Sequence, residues 1–200
     1  GNLRYARTAG SNRLAYRLRP EQHFPPLDDG LWPLFHLHAQ TAIDRIEDRS
    51  WLFRHVVARD VAYDSLPFAM RAHLHDRVGG FVESGGPSAI EHNLDLLAYH
   101  YWLGEDDDKK REYAVRAGIA AQSRYANDAA ADYFQRALPL LGDAERAGVL
   151  RRLGKVLELR GGWAEAEATY GEAIEVSKRL GDVVEQARAH ADLAETMRKE

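Results

Sequence analysis

Along the second half of this chain, apolar positions recur three and four residues apart, and short breaks rich in glycine and aspartate separate the runs. The spacing predicts helices over about 87–103, 108–123, 126–141, 143–160, 163–179 and 182–199. The breaks are Gly104-Glu105-Asp106-Asp107, Asn127-Asp128, Gly142-Asp143, Gly161-Gly162 and Gly181-Asp182. A glycine that closes one helix followed by an aspartate that caps the next explains their composition. Connections this short predict successive helices packed antiparallel.

The first half reads differently. Asn12 to Leu18 alternates polar and apolar residues, as a strand does, and Pro20, Pro25, Pro26 and Asp28-Asp29-Gly30 then interrupt any regular element. Leu34, Ala39, Ala42, Ile43 and Ile46 place a helix over about 31–48, and Trp51-Leu52-Phe53 is a short strand candidate. From Val56 the helical period strengthens through Val57, Val61, Leu66 and Met70, with Pro67 as a break. Leu74, Val78 and Phe81 form a second helix whose end Gly79-Gly80 should weaken. The change of character near Gly85-Gly86-Pro87 divides the chain into a junction segment, 1–84, and a helical domain, 85–200.

The helices repeat. Pairs of small or apolar residues stand at one phase in Ala117-Gly118, Leu153-Gly154 and Leu193-Ala194. After the first two pairs comes Ala-x-x-x-aromatic-x-x-Ala, as Ala130, Phe134, Ala137 and again as Ala166, Tyr170, Ala173. Only glycine or alanine fits where two helices of a hairpin cross closely, and the aromatic is expected to fill the gap to the next hairpin. No single hairpin buries its own faces, so stacking is what makes a core.

Leu153, Gly154, Leu157, Gly161, Ala166, Tyr170 and Ala173 resemble the tetratricopeptide repeat family over about 108–200, with a degenerate earlier copy and a last copy that stops after one helix. The resemblance implies a mainly α fold of stacked antiparallel hairpins, a right-handed solenoid behind a small irregular or winged-helix-like segment. Such stacks bind peptides or neighbouring domains. Leu97, Ala98 and Tyr101 would begin an earlier, atypical hairpin.

The stretch FRHVVARDVAYDSLPFAMRAHLH, 53–75, is similar to a segment of large bacterial signal-transduction ATPases of the STAND type. The matching residues are Phe53, Arg54, His55, Arg59, Asp60, Ala62, Tyr63, Ser65, Leu66, Pro67, Arg71, Leu74 and His75. Leu97, Ala98, His100, Tyr101, then Arg116-Ala117-Gly118, then Tyr133, Phe134, Arg136, Ala137 and Leu138 continue that order. The resemblance implies a junction between a nucleotide module and a solenoid, in proteins often fused to a class III adenylate or guanylate cyclase domain. It also implies that His55 could approach nucleotide phosphates supplied by that module. No G-x-x-x-x-G-K-[ST] loop is present, so no cofactor is expected for these residues alone.

Composition narrows the remaining chemistry. The chain has no cysteine, which removes thiol chemistry and fits a reducing, cytoplasmic setting. Net charge is −4, and neither half has the basic excess of a nucleic-acid footprint. No apolar run is long enough to span a bilayer. The start at Gly1 and the helical ending at Glu200 read as part of a longer polypeptide. Arg59 and Asp60 are adjacent on a helix and point about 100° apart, so each is expected to bond a neighbouring element rather than the other. His36-x-His38 and His73-x-His75 have the wrong spacing for a helical metal pair, and no metal site is expected. Trp102, Trp163, Tyr99 and Tyr101 are expected to pack between hairpins. The leading expectation is a non-catalytic scaffold whose partner is another protein or the parent's upstream domains. The alternatives are a self-association module and an enzyme with a site at Arg54, His55, Asp60 and Tyr63.

Overall fold

The computed structural model describes residues 16–17, 43–47, 50–53 and 56–199, with side chains from 59 onward. The chain forms two compact units, Gly1–Arg71 and Ala72–Glu200.

The first unit holds strands β1 (Tyr16–Arg17), β2 (Ile43–Glu47) and β3 (Ser50–Phe53), in an antiparallel sheet of order β1-β3-β2. Tyr16 pairs with Trp51 and Ile43 with Phe53, and the register shifts between Arg45 and Glu47. Strand β2 corrects the helix expected over 31–48 at its end. Isoleucines at 43 and 46 also suit a short extended run, and pairing with β3 decides between the two. Helix α1 (Val56–Asp64) follows and stops ahead of Pro67.

Helix α2 (Phe68–Glu83) runs on through Gly79-Gly80. The expected weakening is absent because buried Gly79 is where another helix comes closest, as shown below. Next come α3 (Pro87–His92) and α4 (Leu94–Leu103), where one helix was expected. The break is Asn93, whose side-chain amide donates to the Ala89 carbonyl at 2.7 Å and so competes with the helical ladder.

The remaining helices are α5 (Asp107–Ser123), α6 (Asn127–Ala137), α7 (Asp143–Leu159), α8 (Trp163–Leu180) and α9 (Val183–Lys199). Each falls on a predicted run. Pro139 ends α6 early and turns Leu138–Leu140 into a 3-10 segment. The Gly-Asp signal works at Gly181-Asp182, where Gly181 has φ 71° and Asp182 accepts from the Glu185 amide at 2.9 Å. At Gly142-Asp143 it does not: Gly142 is extended and makes no side-chain cap.

Helices pack chiefly on their sequence neighbours: α4 on α5, α5 on α6, α6 on α7, α7 on α8 and α8 on α9. One cluster joins Ala114 and Ala121 to Ala130, Phe134 and Ala137, and these to Val149, Leu153, Leu157, Ala166 and Tyr170, so the core runs across four helices. Val82, Leu94, Leu97, Tyr101, Tyr113 and Ala117 form a second cluster, and Ala147, Leu150, Ala173, Val176 and Ala189 a third. Among the described residues, no helix is long and apolar enough to cross a membrane.

Candidate functional site

Arg54 and His55 lie outside the described residues, and so do His36 and His38. Of the opening segment, Arg59 and Asp60 are exposed and bond each other, with Arg59 Nη2 2.7 Å from Asp60 Oδ1. This corrects the expectation that they bond separate elements. Their Cβ atoms diverge, but the long guanidinium arm folds back across one residue. Arg71 instead organises its surroundings. Its Nε donates to the Leu66 carbonyl at 2.9 Å, Nη2 to the Asp64 carbonyl at 2.9 Å and Nη1 to the Asp64 carboxylate at 3.1 Å. Its guanidinium lies 4.9 Å from the Tyr63 ring centre. One cation thus satisfies carbonyls that the end of α1 leaves without helical partners.

The repeat residues come together. Ala117, Gly118, Ala130, Phe134, Ala137, Leu153, Gly154, Leu157, Ala166, Tyr170 and Ala173 are buried; Leu193 is half-buried and Ala194 exposed. A Cβ built on Gly118 would sit 2.6 Å from the Phe134 ring, and one on Gly154 would sit 2.6 Å from the Tyr170 ring. So the aromatic reaches the next hairpin, as expected, but its face first closes on the glycine of its own hairpin. A third case escaped the sequence reading: a Cβ on Gly79 would lie 2.6 Å from Tyr101.

Each glycine carries a polar partner one turn on. Gly79 is followed by Glu83, Gly154 by Glu158 and Gly118 by Gln122. Where the acid is present the ring is tyrosine; where the amide replaces it the ring is phenylalanine. Glu158 is buried, and its Oε2 accepts from Tyr170 at 3.4 Å and from Thr196 at 3.2 Å. Lys155 Nζ lies 3.1 Å from both of its oxygens and Lys199 Nζ 2.9 Å from Oε1. Burial alone would raise the Glu158 pKa, but bonds from Lys199 and Lys155 hold it below the usual glutamate value. Glu83 accepts from Lys109 at 2.7 Å and from the Tyr113 hydroxyl. It is pulled down in the same way against its burial, by Lys109, Tyr113 and Tyr101. Burial and the adjacent carboxylates push the hydroxyls of Tyr101, Tyr113 and Tyr170 far up. The rings of Tyr101 and Tyr113 stack 5.2 Å apart.

His75 and His100 form a second arrangement. Both are buried, and their Nδ1 atoms lie 2.8 Å apart, so one ring donates and the other accepts. Burial lowers both pKa values, that of His100 to about 4. Tyr99 packs edge-on against both rings. Tyr99 is otherwise 55% exposed, which corrects its assignment to packing between hairpins. Trp102 is also on the surface, beneath the Arg136 guanidinium at 5.5 Å.

Chemically, these groups are fixed rather than poised. The carboxylates stay ionised, the phenols protonated and the imidazoles neutral at pH 7, so none exchanges a proton near neutrality. Among the described residues, no group of three or more His, Asp or Glu side chains could hold a metal ion. Two features were missed. The carboxylates had a local signal, Gly-x-x-x-Glu at 79–83 and at 154–158. The histidine pair had none, because His100 lies 25 residues beyond its partner. No protein-family model matches the chain, and no curated protein matches it either.

Proposed function

We propose that this chain is a non-catalytic interaction module: tetratricopeptide-like hairpins stacked as a solenoid, serving a bacterial signalling ATPase of the STAND type. The observation that carries the reading is a recurring register. Gly79, Gly118 and Gly154 stand 39 and 36 residues apart, each beneath a ring from a later helix. Seven residues after each comes a residue with positive φ, Gly86 at 85°, Tyr125 at 58° and Gly161 at 82°. A register kept in both packing and backbone is what a stack of equivalent hairpins requires. The fixed protonation states of the buried clusters favour a scaffold over an acid–base catalyst. The antiparallel strands and α1, ahead of the hairpins, suit a winged-helix-like junction.

Two measurements test this. The chain has no cysteine, so cysteines placed at Ile119, Lys155 and Glu195, each one residue past the repeat position, can be spin-labelled without background. Stacking predicts separations that grow by about 10 Å per step. A 119–195 distance no longer than 119–155 overturns the stack. The link to a signalling ATPase is tested by its gene: a phosphate-loop sequence encoded upstream of Gly1 is expected, and a reading frame without one overturns that link alone.

A further inference from the structure

The repeat supplies an internal control for a pair of surface rings that stacking does not explain. Tyr101 of α4, Phe134 of α6 and Tyr170 of α8 hold one structural position, each over a glycine. Two residues before that ring and one after it, α6 carries Asp132 and Gln135, and α8 carries Ala168 and Gly171. Helix α4 carries Tyr99 and Trp102 there, 55% and 37% exposed. Asp132, Gln135 and Ala168 are exposed too, so this side is open in all three hairpins, the middle one included. Packing between hairpins therefore asks for no aromatic residue at either place. Tyr99 is also held firmly for a surface residue, meeting the buried rings of His75 and His100 at 81° and 78°. Fixed, exposed Trp and Tyr rings are the residue types on which protein contacts centre.

The neighbouring charges define what such a contact takes. Three times in this chain a ring with a carboxylate beside it holds a guanidinium. Arg71 lies 4.9 Å from the Tyr63 ring centre and 3.1 Å from Asp64. Arg116 lies 5.3 Å from that of Tyr113 and 2.9 Å from Glu112. Arg136 lies 5.5 Å from that of Trp102 and 2.9 Å from Asp132. The ring face attracts the cation while the acid accepts its N–H groups. Tyr99 has the same acid, Asp95, one turn before it on the exposed face of α4, but no arginine among the described residues lies over it. Asp95 is met only at 3.4 Å, by Arg124 and by the Tyr133 hydroxyl. Glu105, just past the helix, is exposed and among the described residues bonds only through its amide, to Asp76 at 2.9 Å. Asp95, Glu105, Asp106 and Asp132 thus outnumber Arg124 and Arg136 on and beside this face.

We propose that the exposed face of α4 docks a basic segment of another protein, with an arginine over Tyr99 paired to Asp95 and an aliphatic side chain against Trp102. The proposal rests on the interaction-module reading above and names that module's class of partner. A second copy of this chain is the poorer occupant, since it would set acid against acid and itself carries a net charge of −4. The same acids oppose nucleic acid and anionic lipid.

The probe is a short labelled peptide alternating arginine with leucine, titrated into the whole chain by fluorescence anisotropy beside its glutamate–leucine counterpart. Saturable binding of the basic peptide alone is expected, weakened about tenfold or more by Trp102→Gln and by Tyr99→Ala, which give α4 the residues of α6 and α8. Circular dichroism of Trp102→Gln should match the parent, because the repeat accepts glutamine at that position in α6. No saturation at millimolar peptide overturns the proposal, as does binding that ignores either substitution or equal binding of the acidic peptide. Tighter binding of single-stranded DNA or phosphatidylserine vesicles, lost in Trp102→Gln, gives the face to another class and overturns it. A dimer that Trp102→Gln dissolves gives the face to a second copy and also overturns it. If the peptide fails while the label distances still step, the module reading stands without this site; if the steps collapse, both fall.

Discussion

Gly154 has no side chain because a ring occupies that space. In an open helix interior, alanine for glycine gains up to about 1 kcal/mol. Gly171 of α8 is such a place, with nothing near its missing Cβ, so Gly171→Ala should stabilise by about 0.5–1 kcal/mol. Gly154→Ala forces a methyl against Tyr170, whose ring is walled in, and should destabilise by about 1–3 kcal/mol in spite of the helix propensity. Urea unfolding of the two variants checks the opposite signs. Tyr125 is the reverse case. It has the positive φ that Gly86 and Gly161 have in the same register, a backbone angle that costs a side chain but not a glycine, and it is 82% exposed. Tyr125→Gly should therefore raise the unfolding free energy by about 1 kcal/mol, and a loss of stability would mean that the exposed ring makes contacts of consequence. At this scale the repeat was legible because it depends on residue type: Leu-Gly and Ala-x-x-x-aromatic-x-x-Ala are steric requirements written in the chain. The glycine beneath Tyr101 was not legible, because the short helix α3 and the break at Asn93 lengthen that unit and hide its phase.

Helices are tied to one another by buried polar groups, and those ties respond to pH in separate windows. His100 is held neutral in the fold, with its pKa lowered to about 4 from the ordinary 6.5, while the unfolded chain takes up a proton as pH falls through 6.5. The α2–α4 contact is thus fully stable above that value. It weakens between roughly pH 6.5 and 4, by up to about 1.4 kcal/mol per pH unit for this group. Melting temperatures at pH 7 and pH 5 should differ for the parent chain, and the difference should shrink in His100→Phe. Glu158 acts lower. Its folded pKa is depressed, so its contribution is present above the ordinary glutamate value of 4.5 and is lost as pH falls through the folded value. Glu158→Gln should remove that acid sensitivity and cost about 1–3 kcal/mol at pH 7, because two lysines then face a neutral group. Helix positions were readable from periodicity alone. The cross-helix bonds were not, since a buried glutamate and a surface glutamate look alike until the helices that cover one of them are placed. Strand β2 failed for a related reason: Ile43 and Ile46 stand three apart, the spacing of a helical stripe, and only the pairing with β3 shows the run to be extended.

Residues 1–200 by themselves should be inert to nucleotide. They contain no phosphate loop, so calorimetry with ATP and with ADP should show no heat of binding, and micromolar affinity for either would remove the scaffold reading. Each glycine with its ring also acts as one unit of inheritance. A lineage can replace Gly118 by a larger residue only if Phe134 shrinks with it, and the same bond joins Gly154 to Tyr170 and Gly79 to Tyr101. In related chains these pairs should change together or not at all. The acids one turn on should follow the ring, glutamate beside tyrosine and an uncharged residue beside phenylalanine, so that the history of these helix contacts is written in threes.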